Sequence, residues 1–131
     1  TDKESVSEIN DLITGEVRSL EMTSEYYYHL DVCFEPLTKN TALVIKDAFS
    51  EESIEKVNRS FETVIEVPEN DYRTMGANCT AVTRNTVAID KKNQSTINRL
   101  NQHGFKTIPV NTSEFMKSGG SVDCLSVRLP D

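Results

Sequence analysis

The chain has 131 residues, of which 37% are hydrophobic, and its 21 acidic and 14 basic side chains give a formal net charge of −7. This length allows one modest hydrophobic core and excludes two ordinary domains. The acidic balance argues against nucleic acid or an anionic membrane as a partner, and no apolar run approaches the roughly 18 residues of a membrane span. Three cysteines, an odd number, favour a reducing compartment, so we expect a cytoplasmic protein. Because the chain begins at Thr1 and not at methionine, we also expect it to be part of a longer protein.

The amino-terminal segment predicts a helix followed by a strand. The helix covers residues 2–14 and ends at Gly15, and the strand "EVRSLEM" covers residues 16–22. We interpret this segment as the tail of an earlier structural unit.

The next two segments repeat one pattern at a period of about 45 residues, marked by Cys33, Cys79 and Cys124. The shared parts are a turn, an apolar strand, a helix and a second strand. In the first copy they are 38–41, 42–45, 50–61 and 63–67; in the second they are 83–86, 87–89, 94–104 and 106–110. Ser50 predicts a helix N-cap and Gly104 a helix end. Each copy therefore predicts a strand–turn–strand–helix–strand unit, and such units stack into rings or solenoids.

The stretch "VDCLSVRL" (122–129) predicts the first strand of a further unit. It follows the pair Gly119–Gly120, which weakens a strand unless the backbone turns sharply or approaches another group closely. Cys124 lies four residues after Gly120. A cysteine in such a place is either a small buried hydrophobic residue or a nucleophile.

Only two histidines are available to assist a nucleophile. His103 precedes Gly104 at a predicted helix end and is interpreted as a solvated residue. His29 lies in "YYYHLDVCF" (26–34) at the entry to the first strand of its unit, a place similar to that of Cys124. A histidine stabilises the thiolate in nucleophilic catalysis, but from these residues alone a structural role for both side chains remains open.

The segments "YYHLDVCFEPL", "ANCTAV" and "FKTIPVNTSEFMKSGGSVDCLSVRL" resemble the carboxy-terminal part of the pentein, or guanidino-group-modifying, superfamily. This superfamily includes dimethylarginine dimethylaminohydrolases, arginine deiminases and amidinotransferases. The resemblance implies an α/β fold: a partial propeller of ββαβ units, roughly the carboxy-terminal half of a five-bladed ring. The implied divisions are the tail of one blade (1–24), two blades (25–72 and 73–118) and a strand of a closing blade (119–131).

The resemblance also implies roles for four residues. Cys124 matches the nucleophile, which attacks the guanidinium carbon and forms a covalent amidino intermediate. His29 matches the histidine that protonates the departing amine and then activates water or an amine. Asp31 matches a carboxylate that binds the guanidinium group, and Asn78 an asparagine that supports substrate binding. A solvated strand-edge position for Asp31 remains open, and dimethylarginine hydrolases often lack Asp at the matching position.

Three hypotheses for function follow. The first is a hydrolase of the dimethylargininase or deiminase type, the second an amidinotransferase that uses the same intermediate, and the third an inactive binding module. The sequence contains no P-loop, dinucleotide fingerprint or metal-ligand spacing, and the implied chemistry needs no cofactor or metal. The expected partners are a small guanidino substrate and either the remaining half of the propeller or a second copy. That half is also expected to supply the carboxylate that orients His29.

Overall fold

A computed structural model describes residues 3–127, which form two three-stranded sheets with helices beside them. The elements of the first unit are β1 (Phe34–Thr38), β2 (Thr41–Val44), α2 (Glu51–Ser60) and β3 (Thr63–Glu66). Those of the second are β4 (Thr80–Thr83), β5 (Thr86–Asp90), α3 (Gln94–Gln102) and β6 (Lys106–Val110). In each sheet the first two strands are antiparallel and the last two are parallel. The predicted ββαβ repeat is confirmed.

The two units share one hydrophobic core. Residues from both sheets and from α3 pack in a single buried cluster, which includes Leu43, Ile65, Ile89 and Leu100. β1 lies beside β4, so the two first strands bring the units together. The middle strand β2 is buried at Ala42–Val44, since it has a strand on each side and is covered by other parts of the chain. Apolar burial is the main force that holds one unit against the next.

The predicted helix ends are observed. The Ser50 hydroxyl accepts a hydrogen bond from Ser53 N at 3.3 Å and caps α2. Gly104 follows the end of α3 with φ +86°, a left-handed conformation that glycine adopts without steric cost.

The amino-terminal segment has less regular structure than predicted. A helix, α1 (Lys3–Leu12), covers most of the predicted range, and residues 1 and 2 lie outside the described part. The predicted strand at 16–22 is reduced to a single antiparallel bridge between Met22 and Phe49. The reason is that this segment bonds to the start of α2 and not to a sheet edge: Glu21 N donates to Ser53 Oγ at 2.7 Å, and Ser50 N donates to Glu21 O at 3.1 Å.

Two further segments predicted as strand contain 3-10 helices. One is Leu30–Val32, directly before β1, and the other is Asp123–Leu125, within the predicted strand 122–129. In the second, the N–H of Cys124, which a strand would offer to a neighbour, points to the side chain of Asn78, and the N–H of Ser121, just before this segment, points to the same oxygen. A short helix α4 (Ser113–Met116) precedes it. Residues 128 and 129 of the predicted strand lie outside the described residues.

The helices between residues 3 and 127 are short. None of them has the length and hydropathy that a membrane-spanning helix requires.

Candidate active site

The two 3-10 helices bring Asp31 and Cys124 together, although 93 positions separate them in sequence. The thiol of Cys124 donates to Asp31 Oδ2 at 2.8 Å. Asp31 is half-buried and Cys124 is exposed, so solvent reaches the pair. A thiol beside a carboxylate combines a potential nucleophile with an anchor for a cationic group.

Asn78 connects these two residues from behind. It is completely buried, and its Nδ2 donates to Asp31 O at 3.0 Å, to Asp31 Oδ2 at 3.2 Å and to Cys124 Sγ at 3.2 Å. Its Oδ1 accepts from Ser121 N at 3.1 Å and from Cys124 N at 3.5 Å. One side-chain amide thus links the Asp31 helix with the Cys124 helix, and a buried amide bonded in this way costs stability if it is removed.

The glycine pair before Cys124 is required by two close approaches. Gly119 has φ +87°, and a Cβ atom there would collide with the Tyr28 hydroxyl, which donates to the Gly119 carbonyl. At Gly120 a Cβ atom would lie 2.9 Å from Cys124 Cβ and 3.4 Å from its Sγ. Glycine therefore allows the turn to approach both Tyr28 and Cys124.

His29 lies two residues before Asp31, at the entry to the same 3-10 helix. Its exposed ring packs edge to face on Tyr28, with the ring centroids 4.9 Å apart, so it is next to the residue that contacts the Gly119 turn. Within residues 3–127, no hydrogen bond joins the His29 ring to Cys124. The structure thus brings Asp31, Asn78 and Cys124 into contact and places His29 on the adjoining segment.

The three thiols have different surroundings. Burial raises the pKa of Cys124, and the hydrogen bond to Asp31 raises it further, while the N–H of Ser121 and the amide of Asn78 act in the opposite direction. Burial, with a smaller contribution from Asp31, raises the pKa of Cys33 to about 12, and burial also raises the pKa of Cys79 well above its ordinary value. Cys33 and Cys79 are fully buried, consistent with the predicted structural roles.

Several contacts of the site have no local sequence signal. The sequence assigned no role in the site to Tyr28, Thr80 or Ser121, although all three lie in the segments that resemble the superfamily. Thr80 Oγ1 donates to Asp123 Oδ1 at 2.6 Å, next to Cys124. A further signal is position, because Thr80 directly follows Cys79 and Ser121 lies three residues before Cys124.

Two cavities of about 480 and 400 Å³ lie beside α2, and neither is lined by Asp31, Asn78 or Cys124. Among the described side chains, no group of three or more His, Cys, Asp or Glu residues is arranged to hold a metal ion.

Comparison with known proteins identifies the class of protein that has this fold and these residues in this order. The family described as "N,N dimethylarginine dimethylhydrolase, eukaryotic" matches residues 1–129. The chain belongs to this family, and hence to the pentein superfamily, as predicted from the sequence.

Individual relatives agree with this assignment. The N(G),N(G)-dimethylarginine dimethylaminohydrolase of Mycobacterium tuberculosis is 30% identical over 129 residues, which are 98% of this chain and 42% of that protein. The bifunctional arginine dihydrolase/ornithine cyclodeaminase ArgZ of Synechocystis is 30% identical over 117 residues, 88% of this chain and 17% of that protein.

The solved structures give the same result. The amino-terminal domain of ArgZ, an arginine dihydrolase solved with substrate bound, superposes with a TM-score of 0.90 at 28% identity, covering 98% of this chain and 48% of that one. The amidinotransferase SxtG of Microseira wollei shares the fold, with a TM-score of 0.80 at 20% identity over 95% of this chain and 40% of that one. The chain thus spans less than half the length of these relatives.

Proposed function

We propose that this chain carries the nucleophile-bearing part of a guanidine-modifying hydrolase, which cleaves a guanidinium C–N bond of arginine or a derivative. The observation that carries the proposal is the contact between Cys124 Sγ and Asp31 Oδ2 at 2.8 Å. A guanidinium group bound to that carboxylate has its central carbon within reach of the sulfur. The names of the matched relatives, a dimethylarginine dimethylaminohydrolase and an arginine dihydrolase, support the same substrate class.

Substrate binding changes the state of the thiol in this proposal. In the free site Asp31 accepts a hydrogen bond from the Cys124 thiol, and this bond disfavours the thiolate. A bound guanidinium takes over the carboxylate as a hydrogen-bond partner, and its positive charge stabilises the thiolate that forms beside it. The donor groups of Asn78 and Ser121 then favour the charged sulfur.

The reaction proceeds in two halves. The Cys124 thiolate attacks the guanidinium carbon and forms an S–C bond, and the C–N bond to the departing amine breaks as His29 gives that nitrogen a proton. His29 then takes a proton from water, which attacks the same carbon, and the S–C bond breaks to return the thiolate and a ureido product. The position of His29 on the segment next to Asp31 supports this role, since catalytic hydrogen bonds are often formed only with substrate bound.

Asn78 acts on substrate through its neighbours in this proposal. Its complete burial and its five hydrogen bonds leave it no free face toward the solvent-exposed side of Cys124. We assign it the task of holding the Asp31 carboxylate and the Cys124 sulfur at a fixed separation.

The remaining part of the site lies outside this chain in the proposal. The relatives are more than twice as long as the matched region, and the site is open among the described residues. We propose that further blades of the propeller, from the rest of a longer protein or from a second copy, cover the substrate and supply the carboxylate that orients His29. Residues 25–72 and 73–118 are the two blades of that ring.

Trapping the intermediate tests this function. The protein, together with the rest of its chain, is mixed with arginine or dimethylarginine, quenched in acid and analysed by intact mass and peptide mapping. An amidino adduct on Cys124 is expected, absent in Cys124→Ser, and His29→Ala should slow turnover by about 10²–10⁴-fold. Turnover that survives Cys124→Ser contradicts the proposal. An adduct that is consumed only when an amine is added indicates an amidinotransferase, and binding without any adduct indicates an inactive module.

A further inference from the structure

A buried relay of hydrogen bonds lies behind the Cys124 turn. Asp90, at the end of β5, accepts at Oδ2 from Thr112 N and from Thr112 Oγ1, both at 2.7 Å. Thr112 Oγ1 lies 2.8 Å from Ser121 Oγ, and Ser121 N donates to Asn78 Oδ1 at 3.1 Å. The relay therefore runs from a strand end in the core to the amide that contacts Cys124.

The directions of these hydrogen bonds are determined by the carboxylate. Burial by itself raises the pKa of Asp90, but the hydrogen bonds from Lys92 and Thr112 outweigh it and hold that pKa below its ordinary value. An ionised carboxylate only accepts, so the single hydroxyl hydrogen of Thr112 is committed to Asp90. The hydroxyl of Ser121 must then donate to Thr112 Oγ1. Asp90, Thr112 and Ser121 are all buried, so water does not compete for these bonds.

The relay closes the base of a loop, whose tip is held by the hydrogen bond from Tyr28 to Gly119. Thr112 begins the loop and Ser121 ends it, and between them lie the short helix α4 and the Gly119–Gly120 pair. Phe115, at the middle of α4, is 53% exposed. The Thr112–Ser121 bond thus determines where the backbone re-enters the core, three residues before Cys124.

We propose that Thr112, held by Asp90, is a positioning residue for Cys124. Its hydroxyl holds Ser121, and Ser121 orients the Asn78 amide that keeps the sulfur beside the Asp31 carboxylate. This inference rests on the proposed function, because it concerns the separation between the nucleophile and the group that binds the guanidinium. Thr112 touches neither substrate nor sulfur and acts only through Ser121 and Asn78.

The chain offers a matched control at the start of α3. Thr96 N and Thr96 Oγ1 donate to Asp71 Oδ2 at 2.6 and 2.8 Å, and both residues are buried. The chemistry is the same as at Thr112 and Asp90, but this pair caps α3 and makes no hydrogen bond to residues 119–124 in the described chain. Loss of either hydroxyl should lower stability, whereas only the loss at Thr112 should alter the site.

The test compares two reagents that attack the same thiolate. Chloroacetamidine carries a cationic amidinium group that Asp31 can hold, and chloroacetamide is its neutral counterpart. The ratio of their alkylation rates at Cys124 cancels the thiolate fraction, so it reports the geometry between Asp31 and the sulfur. Rates are followed by intact mass, and the labelled residue is identified by peptide mapping.

Wild-type protein should prefer chloroacetamidine, and Thr112→Val should reduce this preference by about tenfold or more, since misplacement of a reacting group by about 1 Å costs up to ~10²-fold. Thr112→Ser should restore it, and Thr96→Val should leave it within about twofold of wild type despite a lower unfolding midpoint. Ser121→Ala removes the same bond from the other side and serves if Thr112→Val fails to fold. A wild-type preference that survives in both Thr112→Val and Ser121→Ala overturns this inference alone. A wild-type protein with no preference overturns the proposed function as well.

Discussion

Replacement of Gly120 by alanine puts a methyl group against Cys124. The new Cβ would be 2.9 Å from Cys124 Cβ, whereas ordinary contacts are 3.4–4 Å, so one of the two segments must move by roughly 0.5 Å or more. Gly120 has no positive φ, so alanine adds no backbone strain and the effect comes from this contact. Overpacking of this kind costs about 1–3 kcal/mol of stability. The shift also changes the 2.8 Å separation of Cys124 Sγ and Asp31 Oδ2.

We expect Gly120→Ala to lower turnover by about 10- to 100-fold, because misplacement of a reacting group by about 1 Å costs up to 10²-fold. The assay is steady-state kinetics with arginine and dimethylarginine, with urea unfolding measured in parallel. Gly104→Ala is the control: its φ is +86° and no atom lies within 4 Å of the added Cβ, so it should lower stability by about 1–2 kcal/mol and leave turnover unchanged. Wild-type turnover and stability in Gly120→Ala would refute the close-approach argument.

Three other changes test the core, the carboxylate beside the nucleophile and the buried relay. Asp31→Asn should lower the pKa of the Cys124 thiol, because the carboxylate raises it; alkylation by a neutral haloacetamide near pH 7 should then speed up while turnover falls, and a slower alkylation would contradict this. Leu43→Ala, in the fully buried cluster, should cost about 2–5 kcal/mol in urea unfolding; a loss below about 1 kcal/mol would mean that this part of the core is loosely packed. Because the pKa of Asp90 is lowered by folding, its contribution to stability is complete above the unfolded-state pKa of about 3.9 and disappears as pH falls through the folded value. Asp90→Asn should therefore make stability less dependent on pH below about 4, and an unchanged acid limb would contradict the assignment.

The repeated units could be predicted because their signals are local. A cap such as Ser50, a stop such as Gly104 and the alternating apolar residues of the strands act within one turn or one strand. These signals predicted both helices and both hairpins, and the repeat period linked them into two ββαβ units. The order of His29, Asp31 and Cys124 along the chain also carried the resemblance to the superfamily.

The segments predicted wrongly are those whose hydrogen bonds go elsewhere. Residues 16–22 have strand-like composition, but their backbone bonds to the start of α2. Residues 122–125 have the same composition, but the N–H of Cys124 bonds to Asn78, the N–H of Leu125 bonds to the Val122 carbonyl, and the chain turns into a 3-10 helix. Composition describes what a segment can form, whereas the available partner decides which of these it does form.

The amino-acid sequence by itself determined the units, their caps and the residue types of the site. Only the tertiary structure decided that the Asn78 amide hydrogen-bonds to Asp31 and Cys124, and that Thr112 connects Asp90 to Ser121. These bonds join residues up to 47 positions apart, and they form because apolar burial packs segments that are distant in sequence against one another, both within a unit and between the two. Local propensity has no information about such contacts, since a buried amide or hydroxyl takes whichever partner the packed core places within about 3 Å.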